Sequence, residues 1–289
     1  MGPETSTLRP ERQARHFSLG QAVLAADVRA TSQRDLRIDI LVPFYRPWEV
    51  GQFVMLRWGR HLIGRPFAIV DWKSQPGGDS LLSVWVRRLG AATEELAHFK
   101  KGMKLQVTLP LGQGFSSSTL RASRLLLVSG GVGAASVLPL ALARGIAPKD
   151  LWIHGDRDES TLDGELMSAT HRPTYVCLET LPEKSIGFHP GRVTDLIQSI
   201  SAENAAGLAG VVACGPSPML EAVAKVCASS SRLQKLPVIL GLEERMGCGI
   251  GICFSCSVWT NDGMKRLCTE GPWFAANEMP DHFRCRGGE

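Results

Sequence analysis

Three cysteines fall within nine residues, interleaved with glycines, and no ordinary helix or strand absorbs such a run. It reads Gly247-Cys248-Gly249-Ile250-Gly251-Ile252-Cys253-Phe254-Ser255-Cys256. The glycines let the backbone curl tightly, so that N–H groups turn toward whatever the cysteines hold. The spacing, C-x4-C-x2-C, is the one used around plant-type [2Fe–2S] centres. Two irons need four thiolates, and Cys268 is the next cysteine along the chain. Zinc is an alternative, but zinc sites usually pair two C-x2-C knuckles and only one is present. A set of unrelated buried thiols is the third reading.

The wider cysteine usage supports a reducing compartment. Eight cysteines occur in a chain of 289 residues, and the first seventeen residues carry Glu4, Arg9, Glu11, Arg12 and Arg15 with no apolar segment. They read as a flexible tail (1–17), not an export signal, so a disulfide framework is not expected. Cys177, Cys214, Cys227 and Cys285 read as ordinary buried or surface thiols. The formal charge is +4, with Lys and Arg scattered, which gives no case for nucleic acid. Leu125 to Ala143 is uncharged and nearly long enough to span a membrane. Gly130, Gly131, Gly133 and Pro139 interrupt it, so a buried strand, a turn and a helix are expected instead.

The organisation changes along the chain. From 18 to 118 short strands are expected at Leu36–Ile40, Gln52–Trp58, Ala68–Trp72, Leu81–Leu89 and Leu105–Leu109, with one short helix at Glu94–Phe99 capped by Thr93. That pattern predicts a small antiparallel β-barrel. From 119 to 236 strands alternate with helices, among them Val193–Ile200 and Pro218–Ala228, which predicts a parallel sheet with crossover helices. The boundary is expected at Ser116 to Ser123, and 237–289 is expected to form a small cysteine-bearing unit. The fold class is therefore β + α/β.

Two kinds of ligand loop are visible. Arg65-Pro66-Phe67-Ala68 opens a strand, and an arginine at a barrel rim can offer two N–H donors to a pyrophosphate. Gly90-Ala91-Ala92-Thr93 begins the short helix, whose free N–H groups suit the same phosphates. Gly130, Gly131 and Gly133 form a turn between a strand and a helix, suited either to a nucleotide phosphate or to tight strand–helix packing. Cys214-Gly215-Pro216 again follows a strand and precedes a helix. Cys214 can equally be a small core residue. His61, His98, His154 and His171 have no partner spacing and read as surface or packing residues, as does Arg157 on the surface.

In order, the barrel with R-P-F-A, the G-G-V-G turn, C-G-P-S-P-M-L and the cysteine loop resemble the ferredoxin-reductase superfamily. Within it the chain most resembles the electron-transfer subunits of class 1B dihydroorotate dehydrogenases. The runs that carry this are Gly191-Arg192-Val193-Thr194-Asp195-Leu196, Leu242-Glu243-Glu244-Arg245-Met246 before the cysteine loop, and Cys268-Thr269-Glu270-Gly271-Pro272-Trp273-Phe274. The resemblance implies FAD in the barrel, NAD in the parallel-sheet domain and [2Fe–2S] on Cys248, Cys253, Cys256 and Cys268. It implies FAD contacts from Arg65, Pro66, Phe67, Ala68, Trp85, Val86, Arg87, Ala92 and Thr93. It also implies a cytoplasmic hetero-oligomer with an FMN-containing dihydroorotate dehydrogenase subunit in pyrimidine biosynthesis, with neither membrane nor nucleic acid as partner. Flavin/iron–sulfur subunits of hydrogenases and anaerobic sulfite reductases share much of the loop and are the alternative relatives. The chain departs from the pattern at Ala68, where the family usually has Ser, and at Ala92, where Gly precedes Thr.

Overall fold

A computed structural model describes residues 21–108, 110–115, 121, 123–144, 150–168, 172–181, 187–200 and 202–283. The expected tail (1–17), most of the expected 116–123 boundary, His171 and Cys285 lie outside the described residues. Six antiparallel strands close into a barrel: β1 (Gln21–Ala30), β2 (Asp35–Val42), β3 (Phe53–Trp58), β4 (Arg65–Ser74), β5 (Ser80–Arg87) and β6 (Lys104–Val107). Their order is β1-β2-β5-β4-β3-β6, and β6 pairs back onto β1. Closure removes exposed edges, and alternate side chains such as Ile38, Ile40, Val54, Leu56, Leu82 and Val84 fill the interior. Helix α1 (Ala91–Leu96) adds Ala92 and Leu96 to that core.

Helix α1 starts three residues before the expected position. Its N-cap is Gly90, and Thr93 sits inside the first turn. The Thr93 hydroxyl reaches backward, accepting from the backbone N–H groups of Leu89 (2.9 Å) and Gly90 (3.3 Å). It therefore closes the turn from within instead of capping the N–H groups that follow it.

A seven-stranded sheet holds β7 (Arg124–Gly130), β8 (Leu151–Asp156), β9 (Tyr175–Leu178), β10 (His189–Pro190), β11 (Leu208–Cys214) and β12 (Val238–Gly241). A separate hairpin, β13 (Ser257–Thr260) and β14 (Gly263–Arg266), precedes the last strand of the sheet, β15 (Trp273–Ala275). The sheet order is β10-β9-β8-β7-β11-β12-β15, parallel throughout except for β15. Around it lie α2 (Ala134–Ala143), α3 (Val193–Gln198), α4 (Ala202–Ala205), α5 (Ser217–Ser229) and α6 (Leu267–Glu270). The expected Val193–Ile200 helix stops two residues early. Its start is fixed by Asp195, whose side chain accepts from the Arg192 N–H at 2.7 Å.

The boundary expected at 237 falls at the start of a strand. The apolar run Val238–Gly241 is a sheet strand, and β15 pairs with it antiparallel, Ile239 to Ala275 and Gly241 to Trp273. The cysteine segment is thus an excursion between two neighbouring strands of one sheet. The uncharged stretch from Leu125 becomes β7, a glycine turn and α2. Seven of the ten α2 residues are buried, and they share a core with Val70 and Trp85 on the outside of the barrel. A helix apolar on every side is a buried helix. Among the described residues no helix is long and apolar enough to cross a membrane.

An ion pair also joins barrel and sheet. Arg87 of β5 donates from Nε and Nη2 to both oxygens of Asp35 on β2, each at 2.8 Å. Its Nη2 also lies 3.5 Å from Asp156 at the end of β8. Asp35 is 3% exposed and Arg87 nearly buried, so removing Asp35 takes away both close oxygens of that guanidinium and leaves only Asp156 at 3.5 Å. Asp35→Ala is expected to destabilise the fold by about 3 kcal/mol, measurable as a lowered midpoint in chemical denaturation.

Candidate functional site

The sheet order fixes where a ligand can sit. From β7 the chain moves through β8 to β10 on one side, then returns to β11 and β12 on the other. The β7/β11 junction is therefore the switch point, and the crevice beyond its carboxyl ends is where open α/β sheets bind ligands. Both expected loops leave from there, and they pack on each other. The Gly133 α-carbon faces the Cys214 carbonyl, and Gly130 faces Pro216 and the Met219 sulfur. Gly131, with φ +51, lies under the Arg87 guanidinium, which any side chain there would have to displace. On their Cβ side Gly130, Gly133 and Gly215 are thus packed against the neighbouring loop. Of the six loop residues singled out from the sequence, only Cys214 reaches the adjoining cleft.

That cleft, of about 870 Å³, opens between barrel and sheet. Arg65, Pro66, Phe67, Ala68, Trp85, Arg87, Ala92 and Thr93 line it together with Cys214. Val86 does not. Its side chain is fully buried in the barrel core, because side chains alternate along a strand and Trp85 and Arg87 take the outward positions. Arg65 is held by its Nη1–H donating to the Ile63 carbonyl at 3.1 Å and lies over the Trp58 ring, 5.5 Å from its centre. The buried Trp85 Nε1 has no hydrogen-bond partner among the described residues.

Residues not singled out as cofactor contacts share the wall, notably Ser136, Glu243 and Trp273. Glu243 lies two residues past the end of β12, and that position just after a strand at the switch point was the available signal. Loss of water pushes its carboxyl above the usual range, while the Arg87 charge pulls the other way. Burial pushes the Cys214 thiol up to about 12, so it faces the cleft as a neutral S–H. Trp273 donates from Nε1 to the Gly51 carbonyl at 2.9 Å, tying β15 to the barrel.

The four cysteines of the C-terminal excursion form two pairs. The Cys248 sulfur accepts from the N–H groups of Ile250 and Cys253, and the Cys253 sulfur from that of Cys248, each at 3.4 Å. The thiols of Cys256 and Cys268 lie close enough to influence each other's ionisation. Backbone N–H groups of Leu267 and Cys268 face the Cys256 sulfur, and that of Gly251 faces Cys268. Hydrogen bonding to Ser255 lowers the Cys253 thiol to about 6. Every sulfur therefore has at least one N–H aimed at it, a donor set made for anionic sulfur. Among the described residues no three His, Cys, Asp or Glu side chains converge on a single point. Two hydroxyls next to the second pair, Ser257 Oγ and Thr269 Oγ1, are buried with no partner. This environment fits a thiolate-held iron–sulfur group. The nest also packs on the barrel: a Cβ built on Gly249 would stand 3.0 Å from both Leu111 and Met55.

Comparison with known proteins bears directly on this segment. Residues 243–280 match the model of the iron–sulfur cluster binding domain of dihydroorotate dehydrogenase B. A relative from Fusobacterium nucleatum, the electron transfer subunit of dihydroorotate dehydrogenase B (NAD(+)), is 32% identical over 238 residues, covering 79% of this chain and 86% of the relative. Its namesake from Bacillus caldolyticus is 34% identical over 241 residues, with the same shares covered. The chain belongs to this family of electron transfer subunits. Among solved structures, an NADH-dependent reduced ferredoxin–NADP oxidoreductase superposes with a TM-score of 0.74 at 24% identity, covering 89% of each chain. Phthalate dioxygenase reductase does so with a TM-score of 0.54 at 13% identity, over 90% of this chain and 96% of that one. Both show the ferredoxin-reductase fold.

Of the histidines read as surface or packing residues, His61 lines the cleft, His98 is exposed and His154 is buried. His61 pairs with Glu95 at 3.0 Å. His154, at the end of β8, is 1% exposed, shares a hydrogen bond between Nδ1 and the Ser129 hydroxyl, and is held neutral down to about 3 by burial and by the Arg87 charge. The unfolded chain takes up that proton near 6.5 and the folded chain does not. Stability present above pH 6.5 is therefore lost as pH falls toward 3, by up to about 1.4 kcal/mol per pH unit. Denaturation midpoints measured from pH 7 to 4 should fall less steeply in His154→Gln than in the unaltered chain.

Proposed function

We propose that the chain is the electron-transfer subunit of a dihydroorotate dehydrogenase of the NAD-dependent type. It takes electrons from a separate FMN-containing subunit that oxidises dihydroorotate and delivers them to NAD+, a step of pyrimidine biosynthesis. The observation that carries this reading is the contact between its two sites. Gly249 of the cysteine loop lies on Met55 of β3, and Met55 pairs with Pro66 of β4, whose Arg65–Ala68 line the cleft. An electron relay needs such adjacency, and a zinc-stabilised module does not.

In this reading Cys248 with Cys253 and Cys256 with Cys268 hold a [2Fe–2S] cluster, and the barrel side of the cleft holds FAD. Bound there, the two groups supply the exchange between single electrons and hydride, since a flavin handles both. The protein binds and orients. The Arg65 guanidinium offers two N–H groups to the FAD pyrophosphate, with Ala92 and Thr93 facing the same phosphates from the first turn of α1. Pro66, Phe67, Ala68, Trp85 and Arg87 bound the flavin, and Val86 contributes through its backbone. Cys214, the switch-point residue that reaches the cleft, would face the bound NAD. Gly130, Gly131, Gly133, Gly215 and Pro216 shape the packed loops against which NAD lies. The seven described cysteines are all free thiols, which agrees with a cytoplasmic setting where thiols stay reduced.

Two outcomes are expected. Arg65→Ala should retain the fold but lose FAD on gel filtration, with affinity weakened by about tenfold or more for a lost charge-assisted pair. Cys248→Ser should abolish the visible absorption of the cluster while leaving FAD bound. The deciding experiment is co-expression with an FMN-containing dihydroorotate-oxidising subunit. A hetero-oligomer loaded with flavin and iron should reduce NAD+ when given dihydroorotate. A fully loaded complex without that activity would end the assignment.

A further inference from the structure

Thr269 is a residue that the proposed function leaves unused. Its Oγ1 is shut off from water and has no hydrogen-bond partner, and a buried hydroxyl left unsatisfied costs about 1–3 kcal/mol. Its backbone is fixed from both sides. The Thr269 carbonyl accepts from Gln113 Nε2 at 2.8 Å, and the preceding Cys268 carbonyl accepts from the Gly112 N–H at 3.1 Å. Its side chain lies against Gly251, between Cys248 and Cys253. A Cβ built on Gly251 would stand 2.9 Å from Thr269 Cγ2 and 3.5 Å from Oγ1. The Gly251 N–H in turn faces the Cys268 sulfur. The hydroxyl is therefore shut off from water beside the loop that carries three of the cysteines, one residue past the fourth.

We propose that the Thr269 hydroxyl donates a hydrogen bond to a sulfur of the iron–sulfur group held by these cysteines and thereby raises its reduction potential. This rests on the cluster reading given above. When one electron enters the group, its sulfurs become more negative. A donor fixed on them then stabilises the reduced form more than the oxidised form. The same electron leaves again in the next transfer, and the proton stays on Oγ1 throughout. Thr269 is thus a positioning residue that sets the driving force of a relay without binding substrate or metal.

The test is an anaerobic redox titration of the cofactor-loaded complex, followed by the electron paramagnetic resonance signal of the reduced cluster. Thr269→Val keeps the shape and removes the donor, and its midpoint should move to a more negative potential. Thr269→Ser restores the donor and should titrate close to the unaltered protein. If Thr269→Val fails to load, Thr269→Ala replaces it with the same expectation. A loaded Thr269→Val or Thr269→Ala that titrates with the unaltered protein overturns the proposal. So does a Thr269→Ser shifted as far as the valine variant. An unaltered chain purified without iron and acid-labile sulfide would instead remove the cluster reading itself.

Discussion

Strand β3 is buried on both faces everywhere except at Arg57, and the arrangement of sites depends on that. Its side chains alternate between two cores. Val54 and Leu56 point into the barrel, whereas Phe53 and Met55 point outward into the core that also contains Cys256, Cys268 and Leu267. On its hydrogen-bonded edge the same strand pairs with β4, placing Phe53 opposite Ala68 and Met55 opposite Pro66. Cleft and thiol nest are therefore two sides of one rigid strand. Interiors packed to crystal density do not slide, so the separation of the two sites is set by the width of a strand and one layer of side chains.

The cysteine excursion is anchored as firmly at its ends as in its middle. It leaves β12 and returns through β15 to the adjacent position in the same sheet. Trp273 at the return point bonds to Gly51 and stacks on Phe115, with ring centres 4.5 Å apart. In this loop Gly249 and Gly251 take positive φ freely, while Phe254, at φ 58, holds backbone strain that only a well-held frame sustains.

Much of this was legible in the chain because its periodicities are unmixed. The alternation in Leu36–Ile40 and the glycine turn after Leu125–Ser129 correspond to observed elements, as does the C-x4-C-x2-C run to the nest. The parts that were not legible have physical reasons. Strand β1 is alanine-rich and carries a bulge between Ala25 and Asp27, which breaks the two-residue period on which strand recognition depends. The hairpin β13–β14 announces itself only by Asn261-Asp262-Gly263. β15 is three residues long, too short for any period. The glycines of the two switch-point loops show a different limit. Spacing tells that backbone must approach something closely, but not whether that something is a phosphate or the neighbouring loop. Here the neighbouring loop lies on the Cβ side of Gly130, Gly133 and Gly215.

Helix α2 carries a consequence for how the chain comes into being. Apolar on nearly all sides, it is covered by the sheet on one flank and by Val70 and Trp85 of the barrel on the other. The barrel is made first during synthesis and the sheet closes last, since β15 lies near the end of the described residues. For that interval α2 has one of its two covers. The two halves look like separable modules when read along the sequence, yet each leaves a wet apolar face when alone. Their union is a condition of solubility, and the cleft between them comes into existence only with it.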